Sequence, residues 1–118
     1  MIYLLFFLFT KHLIVDFFLQ TYWQAKNKGT FGHPGGLVHA GLHGLGISIL
    51  LAFYWIPNFW AYALIDCISH YFIDWSKVNL TKKLGLSFKD AAYWWLLGID
   101  QWLHTLVYLF IIYKLYGY

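Results

Sequence analysis

VHAGLHG, residues 38–44, sets His39 and His43 four apart in a run that is otherwise Gly, Ala, Val and Leu. On a helix this spacing puts both imidazoles on one face, one turn apart. Ala40, Gly41, Gly44 and the nearby Gly46 are small, so neighbouring helices can close on that face and share whatever the imidazoles hold. An apolar helix with two inward histidines needs partners, and the flanking sequence supplies them.

Hydrophobic residues make up 61% of the 118, aromatics 24% and charged residues only 11%. A water-soluble chain of this length needs far more polar surface to cover a core, whereas a lipid-solvated chain does not. The composition predicts an integral membrane protein of one domain. Residues 1–10 are apolar, but no basic segment precedes them and no small-residue cleavage site follows, so a cleaved leader is not expected. A single cysteine, Cys67, rules out an intrachain disulfide and a multi-cysteine zinc site, and reads as packing. All basic residues are Lys and all acids Asp; the net charge of +3 suits membrane orientation, and no basic patch suggests nucleic acid.

Residues 2–25 read as a first helix whose polar residues, His12, Asp16, Gln20 and Gln24, recur every four positions, a stripe suited to a bundle interior. KNKGTFGHPGG, residues 26–36, reads as a loop; residues 37–55 make a second helix ended at Ile56-Pro57-Asn58. A third helix over 59–75 carries Asp66, His70 and Asp74 at intervals of four. Residues 76–90 form a polar connection in which Ser87 and Asp90 resemble a capping box, and a fourth helix over 88–116 carries Asp100 and His104. The expected architecture is all-α, a four-helix membrane bundle over residues 1–118. Lys26 and Lys28 in one connection, with Lys77, Lys82, Lys83 and Lys89 in or beside another, place both connections in the cytoplasm and both termini outside. Trp23, Trp75, Trp94 and Trp95 mark that face, and Trp55 and Trp60 the opposite one; Trp102 is left either buried or lipid-facing.

Each helix then contributes one pair at spacing four: His12 with Asp16, His39 with His43, His70 with Asp74, and Asp100 with His104. With alternating helix directions all eight fall in one layer toward the cytoplasmic half. Each Asp in mid-membrane costs about 2.5–3.5 kcal/mol on insertion scales, so Asp16, Asp66, Asp74 and Asp100 together cost roughly 10–14 kcal/mol. A tightly held divalent ion contributes on the order of 10 kcal/mol, enough to offset that burial. Four carboxylates match two divalent cations, with neutral imidazoles completing the shells; nitrogen and oxygen donors suit zinc first, manganese or iron next. One such pair alone is commonly packing, and one or two are explained by interhelical hydrogen bonds or a proton relay; four pairs, one per helix, point to metal.

Other polar residues keep two readings. Asp66, one turn before His70, is a ligand, an orienting carboxylate or, with Asp100, a candidate general base. Gln20 and Gln101 hydrogen-bond ligands or substrate, or bridge helices. Lys11 is a substrate-anion clamp or a counter-ion. Lys26 and Lys77 hold a phosphate at the rim or simply set orientation. His33, beside Pro34, is not expected to be a ligand.

The segments HLIVDFFLQTYWQAKNK (12–28), GLVHAGLHG (36–44), HYFIDWSK (70–77) and DQWLH (100–104) together resemble the successive motifs of the domain of unknown function 3307 family. The resemblance implies a small membrane protein of bacteria or their phages, and so a multi-pass protein of the bacterial inner membrane. More distantly, the His and Asp pattern is similar to membrane-bound metal-dependent hydrolases of the YdjM type, which implies a hydrolase by analogy only.

Three functions fit these residues. The first is a membrane-embedded two-zinc hydrolase of a lipid-like ester or phosphoester, reached laterally from the bilayer. The second is a divalent-metal transporter, since cation-diffusion zinc carriers resemble this chain in using H-x-x-x-D pairs; four helices would then require a dimer. The third is a non-catalytic membrane module stapled by metal or a His-ligated haem.

Overall fold

In lipid a backbone must satisfy its own N–H and C=O groups, and a sequence with long apolar runs does so by coiling. The computed structural model, which describes residues 1–117, is all-helical in its regular elements. It comprises α1 (Ile2–Leu13), a π-helical continuation (Ile14–Leu19), a short α2 (Tyr22–Asn27), α3 (Pro34–Phe53), α4 (Phe59–Lys83) and α5 (Ala91–Tyr116). α3 packs against α4 and α1, α5 against α4 and α1, and α2 lies on α3.

Three segments are long and apolar enough to cross a membrane: Ile2–Leu19, Pro34–Phe53 and Ala91–Tyr116. α4 is not among them, because its inner face carries Asp66, His70 and Asp74 and its last turns carry Lys77, Lys82 and Lys83. The interior is inverted relative to a soluble domain. Among the described residues, ten hydrophobic residues are buried and so are ten polar or charged ones, while Phe6, Phe18, Phe53 and Trp95 face outward. Trp102 also faces outward, at 57% exposure, which settles its placement. The apolar core, Leu4, Leu8, Ile47, Leu51 and Ile111 among others, fills one end of the molecule.

Several expected boundaries shift. The single helix over 2–25 is interrupted: Gln20 turns extended (ψ 116), and Thr21 caps α2 in a capping box with Gln24. Gln24 is therefore buried as a capping partner and does not continue the polar stripe. The third helix runs past residue 75 to Lys83, because nothing in SKVNLTKK breaks a helix. Gly85, at φ +62, follows the C-cap. The expected capping box at Ser87 is half formed. Asp90 Oδ2 accepts from the Ser87 N–H (2.7 Å) and hydroxyl (3.0 Å), but α5 starts only at Ala91. At the other end of the loop 28–33, His33 caps α3, its Nδ1 accepting from the Gly35 N–H at 3.0 Å, with Pro34 opening the helix.

Close approach of α3 and α4 depends on Gly44: a Cβ there would lie 3.0 Å from Cys67 Cβ and 3.2 Å from the Ala63 carbonyl oxygen. A Cβ on Gly41 would meet nothing within 4 Å. Gly44→Leu is therefore expected to destabilise the fold by about 1–3 kcal/mol, and Gly41→Leu to leave it unchanged, in reversible detergent unfolding; equal effects would contradict this packing. The Ser87 hydrogen bonds hold the Asp90 carboxyl below its ordinary 3.8, so their stabilisation is present above pH ~3.8 and lost as pH falls through the folded value. Protection of the Ser87 amide against exchange is expected to fall away in that acid range, and in Asp90→Ala to be absent already at neutral pH.

Candidate metal centre

Five imidazole Nε2 atoms converge on two carboxylates. Around Asp16, His12 lies 3.0 Å from Oδ2, while His43 (2.9 Å), His39 (3.2 Å) and His70 (3.5 Å) surround Oδ1. Around Asp74, His39 and His70 lie 3.3 Å from Oδ2 and His104 lies 3.7 Å from Oδ1. The four long helical segments each supply part of this set. Asp16 lies in the π-helical segment that continues α1, four residues after His12 and so on the same face.

Three groups have ligand atoms within 4.8 Å of one another: His12, Asp16, His43 and His70; His39, His70 and Asp74; and Asp74, Asp100 and His104. Together they comprise the eight residues that the spacing-four pairs single out, all buried. His70 and Asp74 each belong to two groups and join the three into one cluster.

The groups differ in how far they satisfy themselves. Lys11 Nζ meets Asp66 Oδ2 (2.5 Å), the Tyr108 hydroxyl (2.9 Å) and His43 Nδ1 (3.3 Å), which accounts for all three ammonium protons. A lysine donating to Nδ1 leaves the His43 proton on Nε2, directed at Asp16. In the same network Tyr108 Oη lies 3.0 Å from His12 Nδ1. Gln101 lies 3.2 Å from His12 Nε2 through Oε1, and its amide donates to Asp100 Oδ2 at 3.0 Å. By contrast, among the described residues, Asp100 Oδ1 and His104 Nε2 are buried without a hydrogen bond, as are the Nδ1 atoms of His39 and His70, while Asp74 Oδ2 makes no well-directed hydrogen bond and has Lys28 Nζ 3.0 Å away as its ion-pair partner. Leaving such groups unpartnered costs about 1–3 kcal/mol each, more for a charged group. The Nε2 atoms of His39 and His70, 3.2 Å apart, cannot both carry protons. Unpartnered carboxylate and imidazole atoms in one group are the donor set a cation such as zinc requires, so the residues fit a metal ion.

Several expected roles change. Asp66 lies outside all three groups; its carboxylate pairs with Lys11 and it does not orient His70. Lys11 is thus a counter-ion within the protein. Lys26 lies over the Tyr22 ring at 6.0 Å, away from the cluster, and Lys28 instead reaches Asp74 Oδ2 at 3.0 Å. Lys77 and Gln20 line a cavity of about 120 Å³ beside Asp16 and Asp100, together with Lys28 and Gln101. Charge balance shifts too: Lys11 and Lys28 neutralise two of the four carboxylates, leaving the charge of one divalent ion where two were expected. Two residues of this network, Tyr108 and Lys28, escape the spacing analysis. Tyr108 was findable, since it continues the Asp100–His104 register by one more turn.

The chain belongs to the family described as Protein of unknown function (DUF3307), which it matches over residues 4–118. No curated protein matches the chain. Nor does any solved structure. The likeness to YdjM-type hydrolases has no counterpart in these comparisons.

Asp74→Ala and His70→Ala, each removing a residue shared by two groups, are expected to lower zinc affinity more than about 100-fold, beyond the 10–100-fold typical of supporting residues. Lys26→Ala and Cys67→Ser should leave it unchanged. Competition with a chromogenic chelator reads this out, and wild-type affinity in both cluster variants would exclude the centre.

Proposed function

We propose that the chain is a multi-pass, four-helix integral membrane protein whose cluster holds at least one divalent ion, zinc by donor chemistry, and hydrolyses a lipid-like phosphoester. α4 packs between two helices apolar enough to cross a membrane, which supports its being the fourth crossing, its acids satisfied inward. Lys28, Lys77 and Lys82 line one polar cavity; the positive-inside rule assigns that end to the cytoplasm of a bacterial inner membrane.

The observation that carries this reading is the cavity of about 120 Å³ against Asp16 and Asp100. A purely structural metal site is closed, whereas a catalytic one keeps room for water or substrate. An ion held here would supply Lewis acidity toward a phosphoryl oxygen and make water a stronger acid. Of the two acids weighed as general base, Asp100 lines the cavity and Asp66 is tied to Lys11. Asp100 is therefore the acid placed to take the proton from water, with Gln101 holding its Oδ2; in that role its Oδ1 would be left to the water, and His70, Asp74 and His104 would hold the ion. Transport is disfavoured on geometry, because an ion leaving toward the opposite end would have to pass the fully buried Leu4, Leu8, Ile47, Leu51 and Ile111.

Zinc-loaded protein in neutral detergent is expected to release phosphate from alkyl phosphoesters, with Asp100→Asn reducing the rate by about 10²-fold or more. Zinc flux into proteoliposomes without phosphoester turnover would contradict hydrolysis and favour the carrier.

A further inference from the structure

We infer that the ligand of this site is an amphiphile with one phosphate-class headgroup, its anion held at Lys77 and its alkyl chain lying in the groove between α4 and α5. The assignment rests on the proposed catalytic reading for the role of the ion, while binding itself is read independently of turnover.

Lys77 and Asp100 occupy a junction. Both line the polar cavity beside the metal cluster, and both line an apolar groove of about 290 Å³ walled by Phe72, Leu80, Ile99 and Leu103. On the other side, Gln20, Lys28 and Lys77 also line an outer polar cavity of about 350 Å³, to which Lys82 contributes. A charged compartment therefore shares its walls with an apolar one, and the apolar one faces where lipid would be, since Phe72, Ile99 and Leu103 are exposed at its rim.

The sign of the charge follows from the lysines. Lys77 forms no ion pair among the described residues, unlike Lys11 and Lys28. An uncommitted ammonium beside carboxylates already directed at a metal site selects an anion, and a tetrahedral oxyanion supplies acceptors for lysine and for the Gln20 and Gln101 amides. A larger apolar groove, about 470 Å³ between α1 and α3, lacks this junction: its one charged residue is Lys11, already paired with Asp66.

The test is binding of dodecyl phosphate to the purified full-length protein in neutral detergent, followed by native mass spectrometry with dodecanol and inorganic phosphate as comparators. Dodecyl phosphate is expected to bind at least tenfold more tightly than dodecanol and to resist displacement by equimolar inorganic phosphate. Lys77→Gln and Ile99→Trp are each expected to weaken it at least tenfold, with helix content and zinc stoichiometry unchanged as the check on folding. Equal binding of dodecanol, displacement by inorganic phosphate, or wild-type affinity in both variants would overturn the assignment. Tight, variant-sensitive binding without hydrolysis would sink the catalytic reading and leave this one standing; turnover with variant-insensitive binding would do the reverse.

Discussion

Buried carboxylates are the constraint on which this structure turns. Asp16, Asp66, Asp74 and Asp100 are each at most 8% exposed, in a chain whose outer surface is apolar. An ionised carboxylate in such surroundings is tolerated only when it is paired, hydrogen-bonded or bound to a metal. The molecule divides the problem. Asp66 has Lys11, Asp74 has Lys28 in part, and Asp16 gathers four imidazoles. The remaining net charge and the unpartnered atoms of Asp100 and His104 collect in one place, beside Asp74, in a group of ligand atoms that could hold a metal ion.

Backbone features serve that convergence. The π-helical segment carries Asp16 into the interior, and the chain breaks at Gln20 immediately afterwards, once the inward residues of the first segment are spent. Gly44 lets α3 lie against Cys67 and Ala63 of α4, bringing His39 and His43 to His70; the His43 and His70 rings stack with centroids 3.4 Å apart. Stacked imidazoles at that distance repel if both are protonated, so the packing disfavours two charged rings side by side. Behind them Tyr108 and Lys11 separate the polar cluster from the aliphatic core at the other end.

Much of this was legible in the sequence because helical periodicity is a strong signal. Four pairs at spacing four identify eight residues, and the fold gathers those eight. Less legible was what depends on the third dimension. Asp66 has the same spacing to His70 as the true pairs have between their members, yet its partner is Lys11, 55 positions away, and no local pattern reveals that. Lys28 and Lys26 are indistinguishable as loop lysines until α2 turns one toward Asp74 and the other onto Tyr22. The break at Gln20 is hidden in the sequence because Gln24, which closes the capping box on Thr21, also fits a continuous polar stripe. The last turns of α4 carry a polar surface that hydropathy alone does not distinguish from a loop.

That the buried His and Asp cluster binds a metal ion is tested most directly by X-ray absorption at the zinc edge on protein purified in detergent. The expected spectrum has a first shell of nitrogen and oxygen scatterers only, at about 2.0–2.2 Å, with imidazole features from at least one histidine. A protein that retains no stoichiometric metal, or one whose metal shows a sulfur neighbour at about 2.3 Å from Cys67, would contradict it.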